Sequence, residues 1–137
     1  VGETVSIRYI RGRDTLTSRA VVVERPDDLD RFLRTVNPEN NLLPKLGILG
    51  VDFMREMRSM LPGVRVREGV VVAANTAATL YWADGFEPGD VIFSINGTYI
   101  TSLADLRQQT AGLKPGDAVV LQVDRFGQQR YIAFEVQ

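Results

Sequence analysis

The chain of 137 residues contains no histidine and no cysteine. Without these residue types it cannot form a Ser-His-Asp triad, a Cys-His dyad, or a zinc site made from nitrogen and sulfur ligands. Most hydrolase chemistry is therefore excluded for the chain itself, and neither a cofactor nor a metal site is predicted. The lack of cysteine leaves the redox compartment open, because a chain without disulfides is allowed in any compartment.

The chain also lacks an excess of charge of either sign. Its 16 basic and 17 acidic residues are well mixed and give a formal net charge of -1. This balance offers neither a basic surface for nucleic acid nor a polybasic face for a membrane. The longest apolar runs fall far short of the ~20 residues that span a bilayer, and the amino end has no signal-peptide pattern. Nucleic acid is not expected as a partner, and a membrane is disfavoured.

The stretch of residues 85–106 carries the clearest local signals. Pro88 and Gly89 are typical of a tight turn, and the carboxylate of Asp90 can cap amides that the turn leaves unpaired. We therefore prefer a structural role for Asp90 over a chemical one. The apolar run Val91–Ile95 ends at Asn-Gly, a pair typical of two-residue hairpin turns, so it is predicted to be a strand covered on both faces.

Two helices and a further strand are predicted around this stretch. Ser102, with Asp105 three residues later, predicts a capping box that begins a helix. Residues 70–74 predict a buried strand, and residues 76–86 predict a short helix that Gly85 ends. Residues 53–61 are compatible with a short helix or an ordered loop.

The two ends of the chain share a pattern. Residues 1–23 predict a hairpin that turns at residues 11–14, and residues 115–136 predict a second hairpin with the same order of residue types. We interpret the amino-terminal copy as the last hairpin of a preceding domain of the same kind, which makes the chain a fragment of a longer protein. The alternative is that β-hairpins simply look alike. Since a lone hairpin is marginally stable in water, it is predicted to pack on the main domain or on another molecule.

Residues 25–44 predict a linker with a short amphipathic helix. Pro26 begins it, and Asn37-Pro38 ends it. Its apolar face consists of Leu29, Phe32, Leu33 and Val36. A linker packed on the domain is preferred over a partner-binding surface.

Residues 46–53 predict a short strand interrupted by Gly47 and Gly50. Glycine weakens a strand unless a backbone approaches closely or turns sharply there. These two glycines are therefore the first indication of a binding site.

The order of these elements resembles a known family. The run GFEPGDVIFSING, and KPGD followed by a strand and RFG, are similar to a bacterial PDZ domain of the type appended to HtrA-like, trypsin-like serine proteases. Periodicity alone predicts only a small, strand-rich α+β domain. The resemblance implies a mostly β, PDZ-like, partly open barrel of about six strands with two helices. It implies a preceding domain's hairpin at residues 1–24, a linker at 25–44 and a PDZ domain at 45–137.

The resemblance also implies a binding site. In that family the free carboxyl end of a peptide sits on amides of the loop before the second strand, and the peptide pairs antiparallel with that strand. Residues 45–48, Lys-Leu-Gly-Ile, match this loop, and a glycine there lets consecutive N–H groups converge on an anion. The strand edge would begin at Ile48 and accept the peptide by β-augmentation. The implied peptide-binding residues are Leu46, Gly47, Ile48, Leu49, Gly50, Val51, Ser102, Leu106 and Gln109.

Within this set, Ser102, Leu106 and Gln109 are expected to face the groove from the helix. Leu46, Ile48 and Leu106 would form the pocket for the terminal side chain. Gln109 and Thr110 stand where the family more often has small or apolar residues, and Gly50 would bend the edge strand early. These departures predict weak binding, about micromolar.

The implied function is a non-catalytic regulatory module of a larger HtrA-like serine protease. It would bind peptides or unfolded protein carboxyl termini with an apolar last residue. Its other partners would be the protease domain and the preceding PDZ domain, a homo-oligomer is allowed, and the location would be periplasmic or in the cell envelope. The alternatives are a structural or oligomerisation PDZ domain, or a PDZ module of a membrane metalloprotease, a carboxyl-terminal processing peptidase or a secretion component.

Overall fold

The computed structural model describes residues 2–22, 36–76 and 85–136. Its strands are β1 (Thr4–Arg11), β2 (Asp14–Val21), β3 (Leu42–Leu43), β4 (Ile48–Asp52), β5 (Val70–Asn75), β6 (Val91–Ile95), β7 (Thr98–Tyr99), β8 (Ala118–Arg125) and β9 (Gln128–Glu135). The α-helices are α1 (Pro38–Asn41) and α2 (Leu103–Ala111), and a 3-10 helix spans Arg55–Ser59. Most of the helix predicted over residues 76–86, and most of the linker helix predicted between Pro26 and Asn37, lie outside the described residues.

The main sheet has seven strands. Its order is β3-β4-β5-β6-β8-β9, and β7 pairs with β6 beside this path. All neighbouring strands are antiparallel. The sheet stays open rather than closing into a barrel, and the mostly β fold with helices agrees with the predicted class.

The core lies on both faces of the central strand β6. Ile92 and Ile95 belong to one buried apolar cluster, which also contains residues of α2, whereas Val91 and Phe93 belong to a second cluster on the other face. The prediction that this strand is covered on both faces is therefore confirmed. The predicted strand at residues 70–74 is confirmed as β5.

Asn37 and Pro38 begin a helix, whereas the preceding helix that the sequence pattern predicted to end at them lies mostly outside the described residues. The side chain of Asn37 accepts a hydrogen bond from the amide of Glu39 at 3.0 Å, and Pro38 takes the first helical position. Asparagine is a preferred N-cap, and proline at this position loses no intrahelical hydrogen bond. Both residues therefore favour the start of α1.

Asp90 joins the turn before β6 to the end of β8. Its side chain is fully buried, and its two carboxylate oxygens each lie 2.7 Å from a nitrogen of Arg125. One of these oxygens also accepts the amide of Glu87 at 2.9 Å. The predicted structural role of Asp90 is confirmed, and the bidentate pair is of the strong, charge-assisted kind.

Two loops touch through glycine backbones. A side chain at Gly127 would place its Cβ 2.5 Å from the carbonyl oxygen of Gly63, and a Cβ at Gly63 would lie 2.8 Å from the carbonyl oxygen of Phe126. Both glycines also have positive φ angles, of 87° and 85°. Only glycine meets both requirements here.

The amino-terminal hairpin and the last hairpin of the main sheet have the same geometry. Each has two strands of eight residues. Gly2 donates to the carbonyl of Val22 at 2.7 Å, and Gly116 donates to the carbonyl of Val136 at 2.8 Å. Burial differs: Leu121 is fully buried, whereas the equivalent Ile7 is 49% exposed. β1 and β2 form their own sheet and share no strand pairing with the main sheet among the described residues.

We expect Asp90→Asn to lower the free energy of unfolding by about 3 kcal/mol, because the guanidinium of Arg125 would lose its buried charge partner. Glu87→Gln makes the same chemical change at a side chain that is 61% exposed and 2.6 Å from Arg125. It should cost less than about 1 kcal/mol. Urea unfolding followed by circular dichroism measures both, and equal losses would contradict a dominant role for the buried pair.

Candidate functional site

Helix α2 begins with the predicted capping box. The hydroxyl of Ser102 accepts the amide of Asp105 at 3.2 Å, and the Asp105 carboxylate accepts the amide of Ser102 at 3.1 Å. The hydroxyl of Thr101 also donates to this carboxylate at 2.6 Å, which lowers the pKa of the Asp105 carboxyl below its usual value. The negative charge is therefore kept at the helix start, where the backbone N–H groups favour it.

Strand β4 holds the start of α2. The carboxylate of Asp52, the last residue of β4, accepts the amide of Leu103 at 2.6 Å. This amide belongs to the first turn, whose N–H groups have no partner within the helix. The amino end of α2 is thereby fixed against the carboxyl end of β4.

The loop before β4 holds the other end of α2. The ammonium group of Lys45 donates to the carbonyls of Thr110, Ala111 and Leu113 at 3.0, 2.9 and 2.7 Å. The last carbonyls of a helix have no partner within the helix and carry partial negative charge, which a cation satisfies. Both ends of α2 are therefore held by residues at the two ends of β4, which places the helix alongside this strand.

The amides of the loop are already used within the chain. Leu46 donates to the carbonyl of Leu43 at 3.1 Å, and Gly47 donates to the carbonyl of Pro44 at 3.1 Å. Gly47 has a φ of 62°, a conformation in which glycine is favoured. The carbonyl of Gly47 accepts both the amide and the hydroxyl of Thr76, at 2.7 and 2.8 Å. The loop therefore has a fixed shape.

The outer edge of β4 is also occupied from within the chain. β3 pairs antiparallel with it, Leu42 opposite Leu49 and Leu43 opposite Ile48. One residue earlier, the side-chain amide of Asn41 donates to the carbonyl of Gly50 at 2.8 Å. Residues 38–43, which comprise α1 and β3 and which we call the strap, therefore follow the β4 edge.

From the other side, α2 contacts the strap through Arg107. A guanidinium nitrogen of Arg107 donates to the carbonyl of Asn40 and lies 3.5 Å from the carbonyl of Leu42. The strap is thus held between β4 and α2.

Leu43 is the apolar anchor of the strap. It is 2% exposed and shares a cluster with Leu46, Ile48, Leu103 and Leu106. A Cβ at Gly50 would lie 3.2 Å from a methyl of Leu43 and 3.3 Å from a methyl of Leu103. The absence of a side chain at Gly50 therefore leaves room first for Val70, a methyl of which would lie 2.7 Å from such a Cβ, and then for Leu43.

The structure brings together some of the residues predicted for the site and separates others. Leu46, Ile48 and Leu106 share the cluster around Leu43, as the predicted pocket requires. Leu49 and Gly50 lie in β4. The pairing of β4 with its inner neighbour β5 shifts register between these two residues. Val51 instead belongs to the cluster on the opposite face of the sheet.

The helix residues differ more from the prediction. Ser102 is used as the N-cap, and Gln109 is exposed. A small, mostly apolar cavity of about 260 Å³ lies beside the strap, and its lining from α2 comes from other side chains. The cavity is lined by Leu42, Leu43, Pro44, Lys45, Arg107, Thr110 and Ala111.

Of the α2 side chains that line this cavity, Arg107 was not among the predicted site residues, and Thr110 was named only as a departure from the family pattern. The available signal was the spacing from the N-cap, since residues 103, 107 and 110 follow the i, i+4, i+7 stripe of one helix face.

The described residues contain no group of three acidic side chains that could hold a metal ion. No helix within residues 2–22, 36–76 and 85–136 is long and apolar enough to cross a membrane.

The sequence pattern of the PDZ domain matches residues 47–136, from the glycine of the loop to the end of β9. The chain belongs to the PDZ domain family. Within this PDZ chain, β4 and α2 are the strand and the helix that the family resemblance had implied for the groove.

Proteins similar to this PDZ domain include periplasmic serine proteases. The periplasmic serine endoprotease DegP of Escherichia coli (strain K12) is 31% identical over 93 residues, which cover 68% of this chain and 19% of DegP. A probable periplasmic serine endoprotease, DegP-like, from Marinomonas sp. (strain MWYL1) is 26% identical over 137 residues, which cover 98% of this chain and 27% of that protein. The chain therefore spans about a fifth to a quarter of the length of these relatives.

A solved structure gives the same relationship. The HtrA-type protease AlgW, solved with a decapeptide, superposes with a TM-score of 0.54 at 28% identity, covering 66% of this chain and 28% of that one. The resemblance to PDZ domains of HtrA-like proteases is thus confirmed. A PDZ domain is a non-catalytic module, whereas these relatives are proteases.

Lys45→Met should lower the free energy of unfolding by about 1–2 kcal/mol, because three carbonyls at the end of α2 lose a charged donor while the aliphatic part of the side chain is kept. Lys114→Met alters the other lysine of the chain, which is exposed, and should change stability by less than about 0.5 kcal/mol. Urea unfolding compares the two. Similar values for both variants would contradict the proposed anchoring of α2.

Proposed function

We propose that this PDZ domain binds the carboxyl-terminal ends of peptides or unfolded proteins in the groove between β4 and α2. The observation that carries the proposal is the strap, an extended segment of the chain that lies antiparallel to β4 with a leucine buried between strand and helix. The groove therefore has the shape and the hydrogen-bonding groups for an extended segment with an apolar residue at this point.

Each part of a bound peptide has a counterpart in the groove. The carboxylate would accept the amides of Leu46 and Gly47, the backbone would pair with β4 from Ile48, and an apolar last side chain would enter the space that Leu43 fills. Arg107 and Thr110 line the helix side of the adjacent cavity. The decapeptide in the structure of AlgW supports this class of ligand.

We further propose that the chain acts as a regulatory module of a larger, periplasmic HtrA-like serine protease. Its relatives DegP and the DegP-like protein carry this description, and the chain spans only part of each. The coding sequence upstream of residue 1 tests the proposal. A trypsin-like domain with His, Asp and Gly-x-Ser-x-Gly is expected, and a metalloprotease or secretion domain there would contradict it.

A second candidate is a structural or oligomerisation domain with a self-filled groove. The observation that favours it is that the loop amides and the β4 edge already have partners within the chain. Oligomers that form without peptide and persist at high salt, measured by light scattering, would support this candidate.

Peptides ending in Val, Leu or Phe should bind with a Kd of about micromolar or weaker, and carboxyl-terminal amides of the same peptides should bind at least about tenfold more weakly, because they lack the anionic group that the loop amides favour. Isothermal calorimetry measures the affinities. Amide shifts of residues 48–51 in NMR spectra locate the site. Equal binding of acids and amides would remove the carboxylate mechanism.

A pair of tryptophan variants separates the two faces of α2. Ala111→Trp should weaken peptide binding by roughly tenfold, because it fills the cavity beside the groove. Gln109→Trp makes a similarly large change on an exposed face and should stay within about twofold. The reverse result would favour the helix face that the sequence had predicted.

We also infer that β1 and β2 are the last hairpin of a preceding PDZ-like domain. Its strand lengths and closing hydrogen bonds match those of β8 and β9, and its apolar face is exposed where the equivalent face of β8 is buried. A preceding domain would supply the missing cover for Val5, Ile7, Tyr9 and Leu16.

The equivalent positions Ile7 and Leu121 test this inference. Ile7→Asp should change the stability of the main domain by less than about 0.5 kcal/mol, whereas Leu121→Asp should cost more than about 4 kcal/mol, because it buries a carboxylate in the core. Hydrogen exchange of amides in β6 and β8 reports main-domain stability. A large loss for Ile7→Asp would mean that the hairpin belongs to the core of this domain.

A further inference from the structure

We propose that the strap is an internal competitor for the groove, so that peptide binds only to the form in which residues 38–43 have left the β4 edge. The inference rests on the proposed peptide-binding function and concerns the regulation of the same site. It starts from the position of the strap, which takes each type of contact that a peptide carboxyl terminus would need.

The first contact is the carboxylate position. The carbonyls of Leu43 and Pro44 accept the amides of Leu46 and Gly47 at 3.1 Å. These amides cannot donate to a peptide carboxylate while they are bound within the turn, because each N–H group has one proton to give. The end of the strap, Leu43, therefore holds the Leu46 amide, and Pro44, the first residue of the turn, holds the Gly47 amide.

The second contact is the strand edge. Leu42 and Leu43 pair with Leu49 and Ile48, and the side chain of Asn41 reaches the carbonyl of Gly50. An incoming antiparallel peptide needs the same backbone groups of β4. Peptide and strap therefore exclude each other over three successive residues of β4.

The third contact is the apolar pocket. Leu43 is almost fully buried, lies beside Gly50, and shares a cluster with Leu46 and Ile48. An apolar last residue of a ligand would need this space. Since the strap fills it with leucine, a ligand ending in leucine is the closest chemical replacement.

The strap pairs with the sheet over a short length, and Leu43 is its one deeply buried side chain. Only two residue pairs join β3 to β4, and Leu42 is 38% exposed. The side-chain polar contacts of the strap are the half-buried hydrogen bond from the amide of Asn41 to the carbonyl of Gly50 and the exposed one from the guanidinium of Arg107 to the carbonyl of Asn40. The strand pairings that build the rest of the main sheet, from β4 to β9, do not involve residues of the strap. The apparent Kd of a peptide then equals its intrinsic Kd divided by the open fraction.

A reversible disulfide tests the inference in the 137-residue chain. Leu42→Cys combined with Leu49→Cys places two thiols on directly opposite residues of a chain that has no other cysteine. The probe is the free-acid peptide Pro-Glu-Asn-Asn-Leu-Leu, the sequence of the strap itself. The oxidised variant should lose at least about 90% of its peptide binding by calorimetry, and reduction should restore it.

Two controls accompany the Leu42→Cys/Leu49→Cys double variant. Val120→Cys with Ala133→Cys forms an equivalent cross-strand pair between β8 and β9, away from the groove, and should bind the peptide equally in both redox states. Asn41→Ala, which removes the contact to Gly50, should tighten peptide binding about 3- to 10-fold. Asn40→Ala makes the same change at an exposed neighbouring side chain and should stay within about twofold.

The outcomes separate this inference from the function on which it rests. If the Leu42→Cys/Leu49→Cys variant binds the peptide equally when oxidised and when reduced, the role of the strap is overturned and the proposed peptide binding stands. No binding by any variant, including Asn41→Ala, would overturn both. Loss of binding on oxidation, with the β8–β9 control unaffected, supports both.

Discussion

The backbone hydrogen-bonding capacity of the outer edge of β4 organises this PDZ domain. A strand with a neighbour on one side only leaves a row of N–H and C=O groups that need partners. On β4 the inner edge pairs with β5, and the outer edge is met by β3 for two residues and then by the side chain of Asn41. The edge is thus satisfied by a short and local segment, and this is the feature from which both the proposed binding and its regulation follow.

The remaining structure holds the groove walls in position. Asp52 and Lys45 fix the two ends of α2, and both lie next to β4 in the chain, so strand and helix keep one spacing. Farther away, the buried pair of Asp90 and Arg125 ties the turn before β6 to the end of β8. The buried charge pair therefore belongs to the scaffold, whereas the strap is held by two strand pairs, by the side chains of Asn41 and Arg107, and by the buried Leu43.

Local signals in the sequence were sufficient for the scaffold. Asn-Gly after β6 and the capping box at Ser102 each depend on residues a few positions apart, so their structures follow from turn and helix chemistry. The groove was harder to predict because it depends on distant contacts. Lys45 reaches carbonyls 65 to 68 residues away, and no local pattern indicates that. The strap was not predicted for a different reason: Asn37-Pro38 was interpreted only as the end of a helix and not as the start of a segment that returns to β4.

The covalent attachment of the strap has a consequence for binding rates. Because β3 is joined to β4 by a four-residue turn, its effective concentration at the groove is far above that of any free peptide. A peptide that waits for the strap to open would associate at a rate that levels off at the opening rate, however much peptide is added. The strap can also pair again with β4 residue by residue as a peptide frays, so it would shorten the lifetime of the complex. A groove of this kind would favour rapid exchange of many chain ends over long retention of one.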